Sequence, residues 1–294
     1  MHLLITGAWQ GAAEHLDEIR AMGHEAVFLQ QEKDALPCDP AWVEGIICNG
    51  FFLHHPISQF PNLRWIQLTS AGLDRVPLDE IRRRGIRIDN ARGVYSIPMA
   101  EFAVAGVLSL YKDLGRFREN QKAHVWKKNR CLRELAGSTV VIVGCGSVGT
   151  ECAKRFAAFD CKVIGVDPIV QENDRYSEIV DLPQLDDKLQ EADVVVLTLP
   201  LTEETRGLIN RRRLSLIHGV LVNIARGAIV DQKALTDWDG EAVIDVFEEE
   251  PLPGSSALWG KDGFVVTPHN CFVGDGNGKR LLNMIMNNLR SVNG

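Results

Sequence analysis

Between Thr139 and Phe159 the chain reads TVVIVGCGSVGTECAKRFAAF. A run of β-branched residues stops at Gly144, Gly146 and Gly149 complete a G-x-G-x-x-G spacing, and apolar residues then recur at helical intervals. No other stretch restricts the fold so tightly. Three glycines at this spacing are weak evidence alone, but between a strand and a helix they mark the turn of a dinucleotide-binding βαβ unit. Gly144 permits the tight turn, Gly146 lets a pyrophosphate approach the backbone, and Gly149 lets the helix pack close to the strand. The helix start adds unpaired N–H groups for phosphate. The next strand ends at Asp167, eighteen residues past Gly149. An acid near this offset accepts from ribose hydroxyls and repels a 2′-phosphate. No arginine follows in VDPIV, so the expected cofactor is NAD.

On both sides of this unit, short apolar runs alternate with helical patterns. LLITG, EAVFLQ, GIICNG, RWIQLTSAG and IRIDN are strand candidates in the first 95 residues, with helical patterns in AAEHLDEIRAMGH, closed by Gly23, and in LDEIRRRG. From Ser96 a long helical pattern runs through SIPMAEFAVAGVLSLYKDLGRFRENQKAHVW. Its first half is apolar almost all round and should pack on something flat and close, an interdomain seam or a dimer seam. Six stronger strands follow: TVVIVG, KVIGVD, DVVVLTLP, GVLVNIA, AVIDVF and FVVTP. Such runs are buried on both faces of a parallel sheet. An amphipathic helix, KRLLNMIMNNLRSV, closes the chain. The expectation is two α/β domains with doubly wound parallel sheets, and 294 residues suit two cores better than one.

Composition excludes several classes. With 45% hydrophobic and 24% charged residues the chain is an ordinary globular one. A net charge of -7 gives no footprint for nucleic acid or an anionic membrane. The basic runs at Arg82–Arg84 and Arg211–Arg213 read as solvated helix ends. Seven cysteines without paired spacing argue against a disulfide framework or a metal site. The N-terminus lacks a signal-peptide pattern and no apolar run reaches membrane-spanning length. A cytoplasmic protein without metal is expected.

Ligands of an open parallel sheet bind beyond the carboxyl ends of its strands. Pro200 stops the third strong strand, and Thr202 and Thr205 place hydroxyls near an expected helix start, as cap or as cofactor contact. Arg226 follows the fourth strand and could grip a carboxylate with two parallel hydrogen bonds. Asp245 lies within the fifth and needs a partner, a cofactor amide or a helix to cap. Glu248, Glu249 and Glu250 come next, and the residues alone do not choose among them. His269 follows the last strand in VVTPHN and could exchange a proton with a substrate hydroxyl.

From about Leu63 onward the chain resembles the D-isomer-specific 2-hydroxyacid dehydrogenases. The segments that carry the resemblance are LTSAGLDRV, IDNARGVYSIPMAEFAVAGVLSL, VVIVGCGSVG, TLPLTEETRGLI, NIARGAIVDQKAL, DVFEEEP and VVTPHN, in the family's order. The resemblance implies a Rossmann domain, residues 96–271, inserted into a smaller flavodoxin-like substrate domain, residues 1–95 and 272–294. It implies that Arg226 binds the substrate carboxylate, that His269 is the acid/base, and that Glu250, directly before a proline, is its partner. The three glycines, Ser147, Val148, Asp167 and Asp245 would hold NAD, with Pro200, Thr205 and Ala225 beside it. Backbone N–H groups at Ala71 and Gly72 would meet the substrate carboxylate. A homodimer acting on a small 2-hydroxy or 2-oxo acid is the expectation. An NAD-sensing corepressor-like protein and a phosphite dehydrogenase are the rival readings on this scaffold. The chain departs from the family pattern in a brief first domain, a stretch about five residues short at ALTDWDGEAV, and NCFVGDG after His269, where the family has smaller apolar residues.

Overall fold

The computed structural model describes residues 1–169 and 173–292. The chain forms two compact units, Met1–Tyr95 with Gly274–Gly294, and Ser96–Val273. The second unit is thus an insertion, and the return falls after Val273 rather than after Cys271.

The first unit holds strands β1 (His2–Thr6), β2 (Glu25–Leu29), β3 (Gly45–Cys48), β4 (Trp65–Leu68) and β5 (Arg87–Asp89), with helices α1 (Leu16–Ala21) and α2 (Leu78–Arg83). All strands are parallel in the order β2-β1-β3-β4-β5, the flavodoxin-like order. Parallel pairing requires cover on both faces. Leu4, Ile46, Ile66, Phe51 and Phe60 fill one face; Leu3, Ile5, Trp9, Ile47 and Trp65 fill the other. At the carboxyl edge the Glu32 carboxylate takes the Thr6 hydroxyl at 2.9 Å and the N–H groups of Asn49 and Gly50, each at 2.7 Å.

The inserted unit opens with α3 (Ser96–Tyr111) and α4 (Leu114–Lys122). The long helical pattern is broken at Asp113, whose φ of 52° is left-handed. Then come β6 (Thr139–Val143), α5 (Ser147–Ala157), β7 (Lys162–Val166), β8 (Glu178–Val180), α6 (Leu185–Glu191), β9 (Val194–Leu197), α7 (Arg211–Leu214), β10 (Val220–Asn223), α8 (Gln232–Asp237), β11 (Glu241–Ile244) and β12 (Phe264–Val266). The strands make one parallel sheet in the order β12-β11-β10-β9-β6-β7-β8. Six were expected; β8 is the seventh. The flat partner of α3 lies in its own unit: α3 packs on α5 and the sheet, so closely that a Cβ at Gly106 would stand 2.6 Å from Val243. The chain then returns to the first unit as α9 (Asn277–Ser291), whose Leu281, Ile285, Met286 and Leu289 join Leu3, Ile5 and Trp9.

Candidate active site

Strand direction places the carboxyl ends of β6, β7, β9, β10, β11 and β12 on one edge of the inserted sheet. The sequence order reverses between β6 and β9, and a ligand crevice opens at such a reversal. The glycine turn stands there. Gly144 has a φ of 99°, and a Cβ on it would lie 2.8 Å from Leu199 N. A Cβ on Gly149 would lie 2.1 Å from Gly144 O, so α5 can approach β6 only with glycine there. Gly146 differs: a Cβ on it would meet no protein atom within 4 Å. The chain's own packing therefore demands the first and third glycines and leaves the middle one to a ligand. α5 starts at Ser147, and Gly146 before it supplies no side-chain cap. This turn fits a pyrophosphate.

Asp167 directly follows β7 and braces the same turn. Its Oδ2 accepts from Cys145 N at 2.7 Å and its Oδ1 from Ile169 N at 2.9 Å. A carboxylate has about four acceptor sites, so this partly exposed one keeps capacity for a ribose hydroxyl. Cys145 points its sulfur inward over Gly165, and burial pushes its thiol up to about 11. Beyond β9, Thr198 Oγ1 donates to Gly144 O at 2.6 Å. No helix starts at Thr202. Instead Thr202 and Thr205 close a turn, with Thr202 N donating to Thr205 Oγ1 at 2.7 Å and that hydroxyl donating to Pro200 O at 2.7 Å. Residues 202–207 form only this turn, and the next helix is α7.

Arg226 stands past β10 in extended backbone. Asn223, buried at the strand end, shapes this corner: its Oδ1 accepts from Ala225 N and its Nδ2 donates to Arg226 O, both at 3.1 Å. Arg226 Nη1 donates to Ala225 O at 2.8 Å, so both backbone groups of buried Ala225 bond within the unit. The glycine after the arginine is compulsory, because a Cβ on Gly227 would overlap the Phe247 carbonyl carbon at 1.9 Å.

The three consecutive acids separate cleanly. Glu248 exchanges hydrogen bonds with Gln232 at the start of α8. Glu249 is exposed. Glu250 accepts from Phe247 N on Oε1 at 2.9 Å and meets His269 Nδ1 through Oε2 at 2.7 Å. The structure thus brings Glu250 and His269 together across nineteen residues.

His269 itself has a left-handed backbone, φ 51°, which costs a non-glycine residue free energy and must be held. Asp245 holds it. Its carbonyl accepts from His269 N at 2.8 Å. Its carboxylate accepts from Thr267 Oγ1 at 2.6 Å and from the N–H groups of Asn270 and Cys271, each at 2.9 Å. Asp245 is 0% exposed and caps no helix. Sequence reading did not anticipate this clamp; Thr267 and Asn223, polar residues at the ends of apolar strands, were its available signals. Phe272 packs edge-on against the His269 ring, with centroids 6.0 Å apart at 89°.

Ala71 and Gly72 follow β4 in the first unit. Their carbonyls accept from Asn90 Nδ2 at 2.7 Å and Ser70 Oγ at 3.2 Å. Among the described residues no helix is long and apolar enough to cross a membrane, and no group of three or more His, Cys, Asp or Glu is arranged to hold a metal ion.

Residues 104–271 match the NAD-binding domain of the D-isomer specific 2-hydroxyacid dehydrogenases. The chain is 34% identical over 223 residues to the glyoxylate/hydroxypyruvate reductase A HPR2 of Arabidopsis thaliana, covering 72% of this chain and 70% of that one. It is 32% identical over 247 residues to the (S)-sulfolactate dehydrogenase of Chromohalobacter salexigens, covering 81% and 80%. A D-isomer specific 2-hydroxyacid dehydrogenase family protein of Aeromonas salmonicida superposes with a TM-score of 0.86 at 29% identity, over 100% of this chain and 96% of that one. With a strand-bound glycine turn and a family match across more than half its length, the chain belongs to the D-isomer specific 2-hydroxyacid dehydrogenase family.

Proposed function

We propose that the protein is an NAD-dependent oxidoreductase acting at C2 of a small D-2-hydroxy acid or the matching 2-oxo acid. The observation that carries this reading is the 2.7 Å contact of His269 Nδ1 with Glu250 Oε2, on the edge that bears the glycine turn and Arg226. An ionised carboxylate only accepts hydrogen bonds, so Nδ1 carries the hydrogen and Nε2 is left to exchange a proton. In oxidation Nε2 takes the substrate hydroxyl proton; in reduction it gives a proton to the carbonyl oxygen. Arg226 grips the substrate carboxylate with paired hydrogen bonds. The nicotinamide cofactor, when bound, supplies or accepts the hydride at C2. The glycine turn with Ser147 and Val148 holds its pyrophosphate, and Asp167 its ribose, with a preference for NAD over a 2′-phosphorylated cofactor. Pro200 and Thr205 flank that crevice. Asp245, enclosed by the 267–271 loop, acts by positioning His269.

A homodimer is part of this reading. Residues 112–134 carry eight Lys and Arg against three Asp and Glu in a chain of net charge -7. The same arm exposes Leu114, Val125, Leu132 and Trp126, the last at 95%. A basic, apolar arm on an acidic protein suits a second copy of the chain. The cytoplasm suits seven free thiols.

The test is NADH oxidation, followed by absorbance, with glyoxylate, hydroxypyruvate, pyruvate and bulkier 2-oxo acids. His269→Gln should lower kcat by roughly 10²–10⁴-fold. Unchanged turnover in that variant would refute the assignment.

A further inference from the structure

We infer that Asn223 is a positioning residue, whose buried side-chain amide sets the aim of the Arg226 guanidinium. The inference rests on the reading of Arg226 as the carboxylate grip and deepens it. Asn223 ends β10 after three buried apolar residues, Val220, Leu221 and Val222, and is itself 1% exposed. An apolar side chain would serve the core there, since a buried amide is unfavourable until its hydrogen bonds are made. The main chain is held without it, because Asn223 O accepts from Asp245 N at 3.1 Å. The side chain bonds instead within the next three residues. Its Oδ1 accepts from Ala225 N and its Nδ2 donates to Arg226 O. Of side chains this size, aspartate cannot donate and leucine can do neither.

The two bonds reach the guanidinium by separate routes. Nδ2 fixes the Arg226 carbonyl, and with it the backbone from which the side chain springs. Oδ1 fixes the N–H of Ala225, and the carbonyl of that same residue accepts from Arg226 Nη1. One end of the guanidinium thus rests on a residue that Asn223 holds. Past the arginine, Gly227 lies hard against the Phe247 backbone, so the corner cannot relax on that side. Aim matters for a guanidinium. A bidentate grip needs two N–H groups in line with two carboxylate oxygens, whereas a lysine ammonium is a point charge on a flexible stem.

That difference supplies the test, with glyoxylate as substrate. Asn223→Ser keeps an oxygen able to accept from Ala225 N and is too short to hold Arg226 O as well. It should raise KM about tenfold, the scale of one charge-assisted hydrogen bond lost from the pair. Its kcat should stay within about threefold, and its Kd for NADH, read by fluorescence, within about twofold, as for a change confined to substrate binding. Made in an Arg226→Lys background, the same substitution should move KM by less than about threefold, because a point charge needs little aiming. A KM unmoved by Asn223→Ser overturns the inference. So does an equal factor in both backgrounds, which would make Asn223 a prop of the corner whatever side chain it carries. So does loss of NADH binding, which would make it a support of the fold. A wild-type KM in Arg226→Lys alone overturns the carboxylate-grip reading itself, and is told apart because Asn223 is unchanged there.

Discussion

Replacing Asp245 with Asn tests how His269, the proposed acid/base, is held. The change keeps shape and removes an acceptor. In the wild type, Oδ1 serves Thr267 Oγ1 and Asn270 N, and Oδ2 serves Cys271 N. An asparagine can keep its oxygen on the first pair, but its amide nitrogen then confronts the Cys271 N–H, donor against donor. One bond to a charged acceptor is lost and one buried N–H is orphaned. Bonds to charged groups contribute roughly 1.5–3 kcal/mol and an orphaned buried donor costs about 1–3 kcal/mol. These are two views of one broken contact and do not add fully, so the net loss is about 2–4 kcal/mol. In a unit of this size, 1 kcal/mol shifts Tm by about 2–4 °C, and the expected fall is roughly 5–15 °C. His269 loses part of the support for its left-handed backbone, and kcat should drop about 10–100-fold as the imidazole drifts from its working geometry. The assay is thermal unfolding by fluorescence without cofactor, paired with NADH binding and turnover. A cofactor-free Tm within about 1 °C of wild type, with weakened NADH binding, would refute the reasoning: Asp245 would then be a cofactor ligand and not the clamp of the loop.

Two glycines of the same turn should behave oppositely. Gly146→Ala meets no protein atom, so its Tm should match wild type while the Kd for NADH, measured by calorimetry, rises at least about tenfold. Gly149→Ala drives a Cβ into Gly144 O and should cost about 3 kcal/mol in denaturant unfolding; equal stability of the two variants would contradict the geometry. His24 supplies a pH dependence. Burial, with the nearby N-terminal charge, holds its imidazole below the usual histidine range. The unfolded chain then binds this proton more readily, so the stabilisation is full above a pH of about 6.5 and is lost as pH falls below it. Tm should decline from pH 7.5 to 5.5, and His24→Gln should decline less over the same range.

Much of the fold was legible because parallel strands leave a strong mark. Runs such as VVIV and VVVL are buried on both faces, and their β-branched composition survives any tertiary context. β8 escaped because it is three residues long, opens on exposed Glu178 and lies at the sheet edge. The break after α3 escaped because Asp113 continues a helical pattern and stops it only through its own left-handed backbone. At the site, the residue types pointed to one sheet edge, since every strand end in a parallel sheet faces one way. The choice among Glu248, Glu249 and Glu250 could not come from periodicity. It depends on how the backbone beyond β11 passes the turn beyond β12, a contact between distant residues. Asp245 was open to two readings for the same reason: its partners lie 22 to 26 residues downstream.

The return of α9 to the first unit has a consequence for the order of events during synthesis. Leu3, Ile5 and Trp9 pack against Leu281, Ile285, Met286 and Leu289, which leave the ribosome more than 270 residues later. The inserted unit is one continuous segment, Ser96–Val273, and can close its core while one face of the first sheet still lacks the part of its cover that α9 supplies. Domains generally fold as they emerge, N-terminal first; here that order is reversed, and the nascent first unit spends the translation of nearly two hundred further residues as a client for whatever shields exposed apolar surface in the cell.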